Sequence, residues 1–294
     1  MRVKPRRIYE SVLERVFLLS ALVSIASVIL MTLFIFQRGF PLFAEVSPLT
    51  FLFSPDWNPT RSGSPSYGIL AFIAGAFFVT LLSLGMAVPV GIATGIYLAE
   101  MATRRTGRFL RSAVELLAGI PSVIYGLFGI AVIVPFIRTV FGGNGYSVLS
   151  ASIILAVMTL PTIINMTEVS LRSVPHDLRE GSWSLGATQW QTIVGVLFPA
   201  ARSGIITGVV LGMGRALGET MAVLLVAGNA PVMPDGPLSM VRTLTMNIIT
   251  DMSYAEGTHL TALFATAIVL FVFILVLNLC IQLLLKSAVK EESR

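Results

Sequence analysis

Two residues of opposite charge, Arg215 and Glu219, stand four positions apart inside Ser203 to Pro234, a stretch with no other charge. A guanidinium is a planar fork that can grip an oxyanion with two parallel hydrogen bonds, and a carboxylate can hold or compete for that fork. If the helix is counted from Ser203, Arg215 lies roughly 18 Å in, near the middle of a hydrocarbon layer about 30 Å thick. An arginine at that depth costs at least ~2.5–3.5 kcal/mol, so it must face a partner or a water-filled path, and Glu219 is the nearest candidate partner. Arg before Glu is the weaker order for an i,i+4 pair, so helix stabilisation does not explain it. The pair reads as a gate on an anion path; the alternative is a neutralised pair that locks subunit packing. Gly204, Gly208 and Gly212 recur on the same helix, Ala216 continues the row, and Gly214 and Gly218 form a second small pair. Such a seam lets another helix approach closely.

Other chemistries find few residues to carry them. The single cysteine, Cys280, lies in the last apolar run and reads as a small packed or lipid-facing side chain. His176 and His259 are the only imidazoles, and neither sits in a metal-binding spacing, so no bound metal or cofactor is expected. The lysines are Lys4, Lys286 and Lys290, none in a phosphate-binding loop, so any ATP must be hydrolysed by another polypeptide. An ion-coupled secondary carrier is the rival reading. It would place acidic or histidine relays in several spans, with inverted repeats, whereas Glu100, Glu115 and Glu168 lie near span ends and no internal repeat is evident. A membrane-embedded enzyme would need a nucleophile and base at membrane depth, and none is present.

The elements that position these residues follow from composition. Of 294 residues, 55% are hydrophobic and 12% charged, which excludes a water-exposed globule. Uncharged blocks at Val16–Phe36, Ser62–Ala99, Leu116–Ile137, Ser147–Thr167 and Leu260–Leu285, and a sixth apolar block, Ser203–Pro234, that carries only Arg215 and Glu219, are each long enough to span a bilayer. The expectation is an all-α integral membrane protein with six transmembrane helices: a segment 1–15, a first span 16–36, an outside segment 37–66, a five-helix core 67–285 and a tail 286–294. The first apolar run is too long for a secretory signal, and no small-residue cleavage site follows it. Fifteen of the twenty Lys and Arg fall on one loop set, which puts both termini and the loops near 105 and 185 in the cytoplasm. The net charge of +5 therefore reflects topology, and no nucleic-acid partner is expected. Segment 37–66, rich in Pro, Ser and aromatics, favours ordered turns over a helix and either docks a partner or caps the bundle. The 34 residues from Ser66 to Ala99 would extend roughly 51 Å as a helix, too long for an upright span. Pro89 and Pro121 are expected to kink the second and third helices.

The loop 173–202 spells two short helices. Asp177 and Glu180 have capping-box spacing, Gly186 is a left-handed terminator, Thr188 and Gln191 repeat the box, and Pro199 is expected to end or kink the second helix. Trp183 and Trp190 suit either the membrane interface or a protein contact.

Glu180, Gly186, Val196, Phe198 and Pro199 resemble the EAA loop of permease subunits in bacterial ABC importers, with Gly181 and Ser182 where that motif has alanines. The resemblance implies that residues from Glu180 to Gly186, with Pro199 behind them, couple to an ATPase subunit. Gly214 to Val223, Glu115 to Gly126 and Glu256 to Leu263 each resemble a part of the phosphate-type permease subunit, PstC. From about residue 67 onward, the chain is similar to that family and to its MetI-like bundle. This resemblance implies a second permease of PstA type, a PstB-type ATPase dimer using ATP and Mg, and a PstS-type phosphate-binding protein. It further implies an inner-membrane location, phosphate as the transported ion, and Arg215 and Glu219 lining its path. Permeation of sulfate or molybdate is the alternative within the same class.

Overall fold

Among the described residues, six helices are long and apolar enough to cross a membrane: Val12–Ala44, Leu70–Met101, Ser122–Phe141, Val148–Arg172, Gln189–Gly218 and Gly257–Leu279. The computed structural model describes the backbone of residues 4–292 and the side chains of Tyr9 and residues 12–279, so the packing expected of Cys280 lies outside the described residues. Helix α1, Lys4–Gly39, and the last helix of the chain, Gly257–Glu292, run past the expected spans into the segments read as tails. Polar flanks extend a helix readily once it leaves the bilayer, because water satisfies whatever its ends expose.

Residues 37–66 do more than turn. A 3-10 turn at Phe40–Ala44 leads into the short helix α2, Pro48–Phe53, and the strands β1, Trp57–Asn58, and β2, Ser66–Tyr67, pair antiparallel. Leu42, Phe51, Trp57 and Tyr67 are buried with Phe72 and Leu263 in one apolar cluster, so this segment caps the ends of the second and sixth spans. The second span is helix α3, Leu70–Ile96, continued by a π turn at Tyr97–Met101; Pro89 sits inside it without ending it.

Pro121 behaves differently from the expected kink. Helix α4, Arg104–Gly119, stops before it, and Pro121 is the N-cap of α5, Ser122–Phe128. Proline lacks the N–H that a continuing helix would need and biases the residue before it toward extended backbone, so Ile120 (ψ 128°) becomes a corner. The third span therefore starts at Ser122, and residues 116–119 belong to α4. A π turn at Gly129–Ile133 joins α5 to α6, Val134–Phe141.

Helix α7, Val148–Arg172, is the central column, with two-thirds of its most apolar window buried. Helix α8, His176–Ser184, forms the loop, and α9, Gln189–Thr192, passes through a π turn at Ile193–Leu197 into α10, Phe198–Gly218. Pro199 does not end this helix. The preceding π turn closes with Phe198 N–H donating to the Ile193 carbonyl, a wider ring that accommodates the donor the proline lacks. Beyond Gly218 come α11, Met221–Val226, a return loop bridged between Gly228 and Val241, α12, Leu244–Asp251, and α13, Gly257–Glu292. The fifth span thus covers 189–218 and not 203–234, because the Thr188 cap starts it earlier and the chain leaves helical geometry at Glu219.

Candidate functional site

Antiparallel packing of α10 on α7 sets the depth of Arg215. The seam Gly204, Gly208 and Gly212 lies on Ser170, Met166 and Ile163 of α7; a Cβ on Gly208 would stand 2.5 Å from that of Met166. Gly212 also neighbours Thr159, so Arg215, nearly one turn further on, is level with the middle of α7. The arginine is therefore midway through the bundle even though its helix begins fourteen residues before Ser203, at Gln189.

Its relation to Glu219 is not the one expected from spacing. Glu219 caps α10 with extended backbone (φ −71°, ψ 132°), which breaks the helical register that would have stacked the two side chains. The carboxylate turns forward and accepts from the Ala222 N–H at 3.4 Å, while the Glu219 carbonyl accepts from Thr245 Oγ1 at 3.1 Å. Among the described residues Arg215 makes no hydrogen bond or ion pair and is exposed on the single chain, whereas Ala216 and Leu217 beside it are buried. Glu219 is half-buried at the joint between two helix segments. Irregular backbone at this depth is tolerated where it is packed in protein or lines a cavity. Here Ala222, Val223, Val226 and Ala227 are all buried in the main core.

At the basic end of the bundle, the loop is built as follows. Pro175 occupies the N-cap of α8 with no side-chain cap, so the expected Asp177–Glu180 capping box does not form; Asp177 instead sits in the first turn, near the positive end of the helix. Gly186 takes φ +83°, with Ala187 N–H donating to Ser182 O and Gly186 N–H to Trp183 O, the paired bonds of a left-handed terminator. Thr188 and Gln191 form the expected box in both directions. Glu180 and Gly181 are exposed and Ser182 is half-buried, its hydroxyl 2.9 Å from that of Thr192. Leu185 is 90% exposed, with Trp190 at 60% and Trp183 at 52%, so an apolar patch stands on the tip of the loop.

A set of ion pairs, of which only the i,i+4 pair Glu168–Arg172 is visible in spacing, borders this tip. Arg179 is buried and donates to Glu100 Oε1 at 2.7 Å and to the carbonyls of Leu171 and Val174, while Gln189 donates to the Glu100 carbonyl. Glu168 accepts from both Arg111 (2.7 Å) and Arg172 (2.9 Å), and both guanidiniums also donate to the Leu98 carbonyl. The advance signals were the i,i+4 spacing of Glu168 and Arg172 and the position of Glu100 and Glu168 at the edges of two apolar blocks. At the opposite end, Asp251 is buried and accepts from Trp57 Nε1, Arg242 and the Tyr254 hydroxyl, with His259 Nε2 at 3.3 Å. Burial, then the bond to Asp251, raises the Tyr254 pKa. No group of three or more metal-ligating side chains occurs among the described residues.

The family model described as binding-protein-dependent transport system inner membrane component matches residues 91–290, more than half of the chain. The chain belongs to that family. The permease is 47% identical, over 80% of its own length and 76% of the relative's, to a Bacillus subtilis protein named as a probable ABC transporter permease, YqgH. It is 34% identical to the Xylella fastidiosa (strain 9a5c) phosphate transport system permease protein PstC, over 84% of this chain and 82% of that one. The Mesorhizobium japonicum protein of the same name is 36% identical over 76% and 74%. In fold, the permease superposes on an inward-facing MetNI methionine ABC transporter chain with TM-score 0.60 at 18% identity, covering 75% of this chain and 97% of that one. A bacterial alginate ABC importer chain gives 0.62 at 15% identity, covering 96% and 99%. The permease is a multi-pass protein of the inner membrane with the helical architecture of ABC importer permeases.

Proposed function

We propose that this permease is the PstC-type subunit of an ATP-driven phosphate importer, with Arg215 the cation that meets phosphate in the path. The observation that carries the reading is a guanidinium level with the middle of α7, exposed on the single chain and with no hydrogen bond or ion pair among the described residues. A second permease, of PstA type, completes the path on that face. Glu219, held at the helix joint by its bond to Ala222, lines the same path without pairing with Arg215. The names of the relatives at 34–36% identity support phosphate over other oxyanions. The loop tip of Glu180 to Gly186, with Trp183, Leu185 and Trp190 exposed, docks a PstB-type ATPase dimer that binds ATP and Mg, and a PstS-type protein delivers phosphate to the opposite, periplasmic end. Both termini and α8 are then cytoplasmic. The test is ATP-dependent uptake of labelled phosphate by vesicles containing the whole complex, with sulfate and molybdate as competitors. Uptake that excess sulfate or molybdate cannot suppress is expected, and Arg215→Gln should abolish it while the complex still assembles. Suppression by either competitor would reassign the substrate, and loss of assembly would make Arg215 a packing residue.

A further inference from the structure

Helix α4 carries a second cluster of arginines that the transport reading does not use. A cavity of about 580 Å³ at the basic end is lined by Arg104, Arg108, Arg111 and Arg172, with Thr103, Ser112 and Glu115 among its other walls. Four guanidiniums face one lining carboxylate, Glu115, with Glu168 behind them, so the cavity is net positive. The arrangement is built and not incidental. Glu168 and the Leu98 carbonyl hold Nε and Nη2 of both Arg111 and Arg172, which leaves Nη1 of each without a protein partner among the described residues. Arg111 folds over Gly107, where an added Cβ would stand 3.3 Å from that same Nη1. Arg104 and Arg108 are exposed and have no ion pair among the described residues.

The other side of α4 identifies what fills the cavity. Phe109 is 74% exposed and Leu116 is 73% exposed, seven residues apart and therefore on one stripe of the helix. That stripe lies about 120° around from the arginine row. An apolar stripe beside a cationic one, on a helix at the mouth of the spanning bundle, is the pattern of a helix lying in the membrane interface. The cavity opens at the ends of α3 and α7, where headgroups lie, and basic pockets on the cytoplasmic side of membrane proteins take anionic headgroups.

We infer that Arg104, Arg108, Arg111 and Arg172 form a binding site for the phosphate of an anionic phospholipid in the leaflet at the basic end, with the acyl chains lying along Phe109 and Leu116. The site rests on the orientation given above only for the name of the leaflet, and it is independent of the transported ion. Native mass spectrometry of the intact complex, purified in mild detergent with phosphatidylglycerol or phosphatidylcholine, reads it directly. Retention of phosphatidylglycerol over phosphatidylcholine is expected, with an about tenfold or greater loss in the double variant R104Q/R108Q and retention in R104K/R108K. Equal retention of the two lipids, or no change in R104Q/R108Q, overturns the inference. Displacement of the lipid by excess inorganic phosphate would also overturn it, by assigning the pocket to a soluble oxyanion. Loss of the ATPase subunit from R104Q/R108Q with lipid retention unchanged would assign it to a protein partner. Because the readout is bound lipid, its outcome does not depend on whether the complex imports phosphate.

Discussion

Arg179 in the loop helix α8 and Glu100 at the end of the second span, 79 residues apart in sequence, meet at 2.7 Å with both side chains about nine-tenths buried. Through this pair α8 is fastened to the end of the second span. Removing one partner strands the other charge in a site that excludes water, which costs about 3–5 kcal/mol. Arg179→Met should therefore lower the melting temperature of the purified complex and, under the proposed function, reduce phosphate carried per ATP hydrolysed. Adding Glu100→Gln should restore part of the stability. A double variant no more stable than the sum of the single losses predicts would show that the pair is not coupled.

Gly186 is a cleaner probe of the loop, because nothing lies within 4 Å of the position where a Cβ would be. The cost of Gly186→Ala is then conformational, about 1–2 kcal/mol for a left-handed residue. Bundle melting should stay near wild type while α8 frays, so ATP hydrolysis should continue with diminished uptake. Unchanged coupling in vesicles would remove Gly186 from the transmission route.

Two glycines of α10 should respond differently to the same change. Gly208 faces Met166 at a distance no side chain fits, and Gly208→Val should destabilise the isolated subunit by about 1–3 kcal/mol or more. Gly214 has open space around it. Gly214→Val should leave subunit melting in detergent close to wild type, and any defect it causes should come at assembly with the second permease. Equal melting of the two variants would contradict the α7–α10 register described above.

At the opposite end, Asp251 serves Trp57, Arg242, Tyr254 and His259 at once. Asp251→Asn keeps the shape but removes the charge that the Arg242 guanidinium needs, a loss of several kcal/mol for a buried pair. Limited proteolysis should then cut within 40–66, because the Trp57 indole that ties this cap to α12 loses its strongest acceptor. Wild-type protease resistance would mean that the apolar cluster alone holds the segment.

Some of this molecule was legible from local signals and some was not. Six spans follow from the lengths of apolar runs, five of them uncharged, and the Thr188–Gln191 box and the Gly186 terminator follow from residues within a few positions of one another, where backbone geometry is decided locally. The Asp177 cap failed on an equally local competitor: Pro175 already held that position. A charge at mid-depth in the fifth span could also be read from the chain, since no bilayer-length run can hide an arginine. What became of that charge could not. Glu219 leaves Arg215 because α10 ends at Gly218 and the next helix packs back into the core, a choice made by side chains of α5 and α7 far away in sequence. The same holds for Arg179 with Glu100, Arg111 with Glu168 and Arg242 with Asp251. Each charge is visible as a letter, but its partner depends on which helix ends the tertiary packing brings together, because a buried ion pair is specified by distance in space and not by spacing along the chain.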